Sequence, residues 1–367
     1  MADLKFGNST VSDMYLGSTQ INRLYQGSNL VWFNDYNIVV RESANLVLYN
    51  IGGTILKDVA VADMLQMTCD NYYVYVFRGN RTDYHIDLYD FNLNLVDSIL
   101  LPEMKNGTDY SSNRIVAGSK KIMFYSANSA GFGYRMGYLN LNKNKEVHYT
   151  DVTQLGTTCV LSLFYYDKNT NSFYSKRNTE NSPSALAKLN EDTYGWEDTG
   201  YANFRNANPC DKTEFNMSFI NGFANGITSG VVNTHNVNYI YNNREGVITY
   251  KNQDGNKPIN HVMLNDTIPM VYGVYGNKIF IGTITDLMNE NITTMEIGEN
   301  VITGRYGYFP MFKHQCRNIV LIPLGNTTIP KICIYNIDTA TYSIFNCTHG
   351  AGAFFLCNAV TVPVLNN

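Results

Sequence analysis

Charge is scarce in this chain. Asp, Glu, Lys and Arg make up only 16% of its 367 residues, against roughly 25% in an ordinary globular domain. The 27 basic and 31 acidic residues leave a formal net charge of −4, and basic residues come at most in pairs such as Lys120-Lys121. That excludes the basic stripe a nucleic-acid partner requires. Apolar runs are equally short, so no stretch predicts a membrane span. Met1–Phe6 reads MADLKF, with neither a basic start nor an apolar core, and predicts no cleavable leader. The seven cysteines (Cys69, Cys159, Cys210, Cys316, Cys333, Cys347, Cys357) are odd in number and contain no CxxC pair. Neither a zinc site nor a disulfide framework is indicated, and the expected state is free thiols in a protein made in the cytoplasm.

Catalytic signatures are missing as well. There is no phosphate loop, nucleophile elbow or HExxH pattern. Asp90-Phe-Asn92-Leu-Asn94 and Asp167-Lys-Asn169-Thr-Asn171 open like a calcium loop, which needs Gly at its sixth position and Glu at its twelfth. Those positions hold Leu95 and Leu101 in the first, and Ser172 and Asn178 in the second. The six histidines stand apart from one another, and the acid pairs Glu191-Asp192 and Glu197-Asp198 fall in polar turns. A glycosidase needs two carboxyls held across one bond, and no such pair is marked. The expectation is a protein that is not an enzyme and carries no cofactor or metal.

What the chain has instead is 48 Asn and 28 Tyr. These suit strands joined by many turns, and a surface that meets carbohydrate or protein. Gly7, Gly17 and Gly27 stand ten residues apart, in LKFGNSTV (Leu4–Val11), MYLGSTQI (Met14–Ile21) and LYQGSNLV (Leu24–Val31). Each copy reads as two apolar strand ends around a Gly-plus-polar turn, hence a hairpin. Three such hairpins are too small to hold a core alone.

The stretch Met14–Trp32, MYLGSTQINRLYQGSNLVW, resembles short repeats of phage tail, baseplate and other virion proteins. It covers roughly a tenth of the chain. The resemblance implies an attachment module over residues 1–35, with Tyr15, Leu16, Leu24, Tyr25 and Trp32 as its apolar docking surface. It further implies a location in the virion, other virion proteins as partners, and several copies per particle.

A longer repeat follows. Apolar strands ending in Asn or Asp recur as Leu46–Asn50, Ile86–Asp90, Met136–Asn140, Leu186–Asn190, Tyr239–Asn242, Gly282–Asp286 and Ile332–Asn336, spaced by 40, 50, 50, 52, 44 and 50 positions. The terminal Asn or Asp is expected to cap the next turn through its own backbone. Two further strands precede most copies, as in Tyr72–Arg78 and Lys121–Ser126. Four strands per 40 to 50 residues is the signature of a propeller blade. The predicted fold is therefore all-β: the hairpin module, then a seven-bladed β-propeller over residues 36–367. Tyr36–Arg41 and Phe354–Val364 would close the ring, and Val59–Met67 is the best helical stretch, though short. Two or three β-sandwiches would satisfy the same spacing.

Recognition on such a scaffold belongs to loops. The longest irregular segment, 194–215, carries Tyr194, Trp196, Tyr201, Phe204 and Arg205, whose rings could stack on a sugar or pack the loop down. A host-surface receptor, glycan or protein, is the expected ligand. A purely architectural subunit and a propeller-scaffold polysaccharide depolymerase are the alternatives.

Overall fold

A computed structural model describes residues 5–6, 9–10, 14–16, 19–21, 23–26, 29–33, 35–80, 83–104, 114–126, 135–150, 164–167, 171–179, 182–202, 214–220, 223–232, 235–242, 246–250, 270–275, 278–283, 293–298, 312–313, 319–325, 330–350 and 359–365. All regular structure among them is strand, and no helix is long and apolar enough to cross a membrane. The chain divides into two compact units. One comprises Met1–Gly133, Asn140–Lys145 and Glu299–Asn367, and the other Tyr134–Leu139 and Glu146–Gly298.

In the first unit, Ala359–Pro363 pairs with Tyr36–Glu42, which pairs with Asn45–Tyr49, which pairs with Ile55–Ala60. The two ends of the described chain complete one antiparallel sheet, with Thr361 opposite Ile38 and Pro363 opposite Tyr36. All seven residues of Tyr36–Glu42 are buried, while Ile55–Ala60 alternates exposed and half-buried. This gradient is written in the sequence: Ile38-Val-Val is a continuous apolar run, and Lys57 and Asp58 interrupt the outer strand. Strands buried on both faces need no polar alternation. The stretch Val59–Met67 is not helical. It splits between the strands Ile55–Ala60 and Met64–Cys69, because strand pairing on both sides overrides a weak local period.

A second four-stranded meander runs Met64–Cys69, Val74–Gly79, Tyr84–Tyr89, Leu95–Leu100. A third runs Phe312–Lys313, Ile319–Gly325, Pro330–Asn336, Thr341–Asn346. First strands meet first strands: Met64–Cys69 contacts both Ala359–Pro363 and Arg114–Gly118, and Ala359–Pro363 contacts Phe312–Lys313. The apolar clusters between these sheets join Tyr36, Ile38 and Val47 to Ile319, Leu321 and Ile332 on one side. On the other they join Val39, Leu46 and Leu48 to Met67, Val74 and Val76. Each such side chain contributes about 1.5–3 kcal/mol when fully buried. Cys69 is buried in the second cluster, Cys347 is half-buried against the first, and Cys333 is buried in its strand; none of the three forms a disulfide. Burial pushes the Cys333 thiol up to about 12, which makes it a packing residue and no nucleophile.

The recurring Asn or Asp does what its chemistry predicts. Asn50 Oδ1 accepts from the Gly52 and Thr54 amides, each at 2.9 Å. Asp90 Oδ1 accepts from Asn92 and Asn94 at 2.9 and 2.8 Å, closing a turn. Asn140 receives the Asn142 amide at 2.9 Å, and Asn190 those of Asp192 and Thr193 at 2.8 and 3.0 Å. Asn336 receives Asp338 and Thr339 at 3.0 and 3.3 Å. The third residue of an outer strand then reaches the next such turn. Lys57 donates to Asn94 Oδ1 at 2.7 Å, and Asp97 accepts from Lys145 at 2.6 Å. The Lys145 ammonium holds the Asp97 carboxyl below the usual carboxylate range. Both ties are exposed and contribute register more than stability.

Polar bonds reinforce the apolar closure of the third meander on the first sheet. Tyr49 donates to Glu42 Oε1 at 2.6 Å and accepts from the Thr348 amide at 3.0 Å. The His349 amide donates to Glu42 Oε2, and its ring Nε2 lies 2.7 Å from Asp58 Oδ2. Burial and the Glu42 charge push the Tyr49 phenol well up. Gly53 sits at φ +81°, where an added Cβ would come within 2.5 Å of Phe345 Cβ. Gly53→Ala carries both a left-handed backbone and a clash across the closure. Its expected cost is about 2–3 kcal/mol, read as a lower midpoint in urea unfolding.

In the second unit, Phe164–Asp167, Ser172–Thr179, Ser182–Leu189 and Trp196–Ala202 form one meander. Glu214–Ile220, Phe223–Val232, His235–Asn242 and Gly246–Tyr250 form another. Met270–Tyr275, Lys278–Thr283 and Thr293–Glu296 make a three-stranded sheet. Here too the first strands Phe164–Asp167 and Glu214–Ile220 are in contact.

Candidate functional site

All three N-terminal glycine repeats coincide with strand pairs. Phe6 stands opposite Ser9, Leu16 opposite Thr19, and Gln26 opposite Asn29. Burial then divides the predicted docking residues. Met14 and Leu24 pack against the core cluster of Phe33, Ile319 and Ile334. Tyr15, Leu16 and Tyr25 point out, at 59%, 76% and 51% exposure. Leu24, by contrast, is half-buried against its own chain's core. Trp32 stands opposite Leu24 in the ladder, and its side chain lies outside the described residues. Arg23 binds Asp35 at 3.1 Å, fastening the third hairpin to the start of Tyr36–Glu42.

The aromatic segment predicted as a ligand loop is organised differently. Trp196 opens the strand Trp196–Ala202. It is 8% exposed, and its indole Nε1 donates to Thr150 Oγ1 at 2.8 Å. Tyr194, at φ +55°, stacks on the His148 ring at 3.7 Å and 8°. It also lies 6.0 Å from Tyr138, whose hydroxyl donates to Glu191 at 2.7 Å. Both rings pack the outer turn against the strands Arg135–Asn140 and Val147–Thr150 of the preceding sheet. The reason is local: Asn190 closes the turn and returns the chain to the ladder at Trp196, opposite Leu189. The Tyr201 side chain, Phe204 and Arg205 lie outside the described residues.

A Ser–His–Asp chain escaped the sequence reading because its members sit on two paired strands and on the residue just before one of them. Ser98 Oγ lies 3.2 Å from His85 Nδ1, and His85 Nε2 lies 2.9 Å from Asp83 Oδ1. The Ser98 proton, however, goes to Asp87 Oδ1 at 2.6 Å, and Arg78 donates to Asp87 Oδ2 at 2.6 Å. A serine whose proton is held by a paired carboxylate, with its imidazole on the accepting side, is not activated as a nucleophile. Among the described residues no group of three or more His, Cys, Asp or Glu is placed to hold a metal.

A cleft of about 510 Å³ opens in the first unit beside the Asn50 and Asn336 turns. Buried Tyr36, Ile319 and Ile334 line it together with Asn37, Asn50 and Asn336, and the exposed Ile51 and Tyr342. Its size falls within the common range of small-ligand sites.

No protein-family model matches the chain, and no curated protein sequence does. Solved structures are similar in fold. Hsv2 of Kluyveromyces lactis superposes with a TM-score of 0.50 at 9% identity, over 86% of this chain and 97% of that one. The Dos1 propeller gives a TM-score of 0.44 at 12% identity, over 82% and 73% of the two chains. TolB from Acinetobacter baumannii gives 0.43 at 11%, over 90% and 83%. Similarity at this level of identity concerns the fold alone.

Proposed function

We propose that this chain is a non-enzymatic component of a phage tail, baseplate or fibre apparatus. It docks onto the particle through its N-terminal hairpins and presents residues 36–367, a seven-bladed propeller, to a receptor on the host surface. The observation that carries this reading is the pair of hairpins whose equivalent tyrosines, Tyr15 and Tyr25, are both turned to solvent beside Leu16. Large apolar side chains left out of a core that lies one residue away mark an interface. Successive antiparallel meanders, and a final strand that completes the first sheet, support the propeller.

Two measurements test it. The purified full chain, fluorescently labelled, is expected to adsorb saturably to a subset of bacterial strains. The combined variant Tyr15→Ser, Leu16→Ser, Tyr25→Ser is expected to adsorb per chain as before while sedimenting as a monomer, where the parent sediments as an oligomer. Its Tm should stay within about 2 °C, since changes at exposed positions cost within about 0.5 kcal/mol. No adsorption to any strain would remove the receptor-binding reading, and unchanged sedimentation would remove the docking role of the tips.

A further inference from the structure

The hairpin tips are too small an interface on their own. Tyr15, Leu16 and Tyr25 leave on the order of 400 Å² uncovered, about half of the roughly 800 Å² that each partner buries in a stable contact. Further exposed apolar side chains stand near the third hairpin. Arg23 shares a strand with Tyr25 and binds Asp35 at 3.1 Å. Asp35 in turn lines the cleft together with Ile51 and Tyr342, which are 58% and 42% exposed. The Asn50–Thr54 turn that carries Ile51 lies on the outer strand Thr341–Asn346, where a Cβ added to Gly53 would meet Phe345. Leu56 follows that turn and is 51% exposed.

The fold explains why Leu56 stays outside. Its strand, Ile55–Ala60, is the edge of the first sheet. Tyr49 stands opposite Ile55 and Leu48 opposite Lys57, so Leu56 is the extra residue of a bulge. A bulge and a charged pair, Lys57-Asp58, blunt an edge against strand addition. A partner here must therefore be met by side chains.

Size and charge point to one occupant. The charges around the patch are spent inside the chain: Arg23 on Asp35, and Asp58 on the His349 ring at 2.7 Å. An oppositely charged partner gains little from it. Ile51, Leu56 and Tyr342 add on the order of 300 Å² to the tips, which brings the total close to one side of a standard contact. A patch of tyrosines and aliphatics is also its own complement. Across a two-fold axis the rings of one copy meet the aliphatic side chains of the other.

We infer, resting on the docking reading above, that a second copy of this chain covers this patch, with Ile51, Leu56 and Tyr342 completing the interface that Tyr15, Leu16 and Tyr25 begin.

Sedimentation velocity of the full chain over a concentration series tests it. With the tips intact, the combined variant Ile51→Ser, Leu56→Ser, Tyr342→Ser is expected to raise the Kd of self-association at least tenfold, with far-UV circular dichroism unchanged. Leu56→Ser alone should raise it about threefold, which keeps the test decisive if the combined variant misfolds. Leu100→Ser, equally exposed at the far end of the second meander's outer strand, should leave it unchanged. If the Leu56 and combined variants associate like the parent while the tip variant sediments as a monomer, the inference is overturned and the docking reading stands. A loss in Leu100→Ser as large as in the combined variant also overturns it, since the association is then unspecific. Weakening by the combined variant with the tip variant unchanged takes the tips out of the contact and overturns the joint surface. A parent that stays monomeric throughout removes the inference and the docking role of the tips together.

Discussion

Replacing Arg41 by alanine is expected to cost about 4 kcal/mol and to lower the urea midpoint without changing the slope. Arg41 is 2% exposed, one of the largest fully buried side chains in the protein. Its guanidinium leaves the first sheet and donates to the carbonyls of Met64 and Leu65, at 2.8 and 2.6 Å. Those carbonyls stand where the register of Met64–Cys69 against Val74–Gly79 shifts between Met64 and Gln66. A bulge takes backbone groups out of the ladder, and buried orphans cost about 1–3 kcal/mol each. The planar fork of an arginine satisfies two neighbouring carbonyls at once, which a lysine does not. Three variants separate the contributions. Arg41→Met keeps most of the volume and should recover the packing share of the loss. Arg41→Lys should recover one hydrogen bond. If Arg41→Met were as stable as the parent, the carbonyls would be meeting other donors and the forked bond would contribute nothing net.

Arg41 also shows where the sequence was silent. Nothing around Val40-Arg41-Glu42 distinguishes a buried arginine from the polar end of a strand, since its partners are backbone carbonyls 23 and 24 positions away. Local chemistry, by contrast, was legible. The Asn or Asp that ends five of the seven repeats (Asn50, Asp90, Asn140, Asn190, Asn336) could be read as a turn cap because its partners lie two to four residues on, as with Asn50 and Thr54; the Asn242 side chain and Asp286 lie outside the described residues. The closing strand was legible for a different reason: an apolar run at each end of the chain needs a partner, and Val360 and Val39 supply one another's.

The site was harder. Trp196 looked like a loop aromatic because Tyr194-Gly195 breaks the pattern just before it, yet the break is a single turn and the indole finds Thr150. Leu24 and Tyr25 looked alike in a repeat aligned on glycines, and only the pleat assigns one to the core and the other to solvent. The cleft was invisible because it joins Asn37 and Asn50 to Asn336, nearly the whole chain apart.

Asp70→Ala is expected to be comparably severe, at about 3 kcal/mol or more. Asp70 is 7% exposed, and its carboxylate gathers four donors. The Tyr72 and Tyr73 amides reach Oδ1 at 2.8 and 3.1 Å. The Tyr75 hydroxyl and the Lys120 amide reach Oδ2 at 2.9 and 2.7 Å. The last bond matters most for the fold, because Ser119 and Lys120 take φ +53° and +62°. Two successive left-handed residues need an acceptor to hold them, and Lys120 Nζ also lies 4.3 Å over the Tyr72 ring. Alanine removes every acceptor at once. Asp70→Asn keeps one oxygen for the two tyrosine amides but turns an NH₂ toward Lys120, and should lose roughly half as much. The pH dependence has a definite sign. Burial pushes the Asp70 carboxyl above its usual value, against the pull of its four donors. A folded value raised above the unfolded one favours the native state fully below the unfolded pKa, and that share is lost as pH rises through the folded one. The stability gap between the parent and Asp70→Asn should therefore narrow from acid toward neutral pH, measured as Tm against pH. A gap that widened would show the four donors outweighing burial, with Asp70 serving the fold as a stabilised anion.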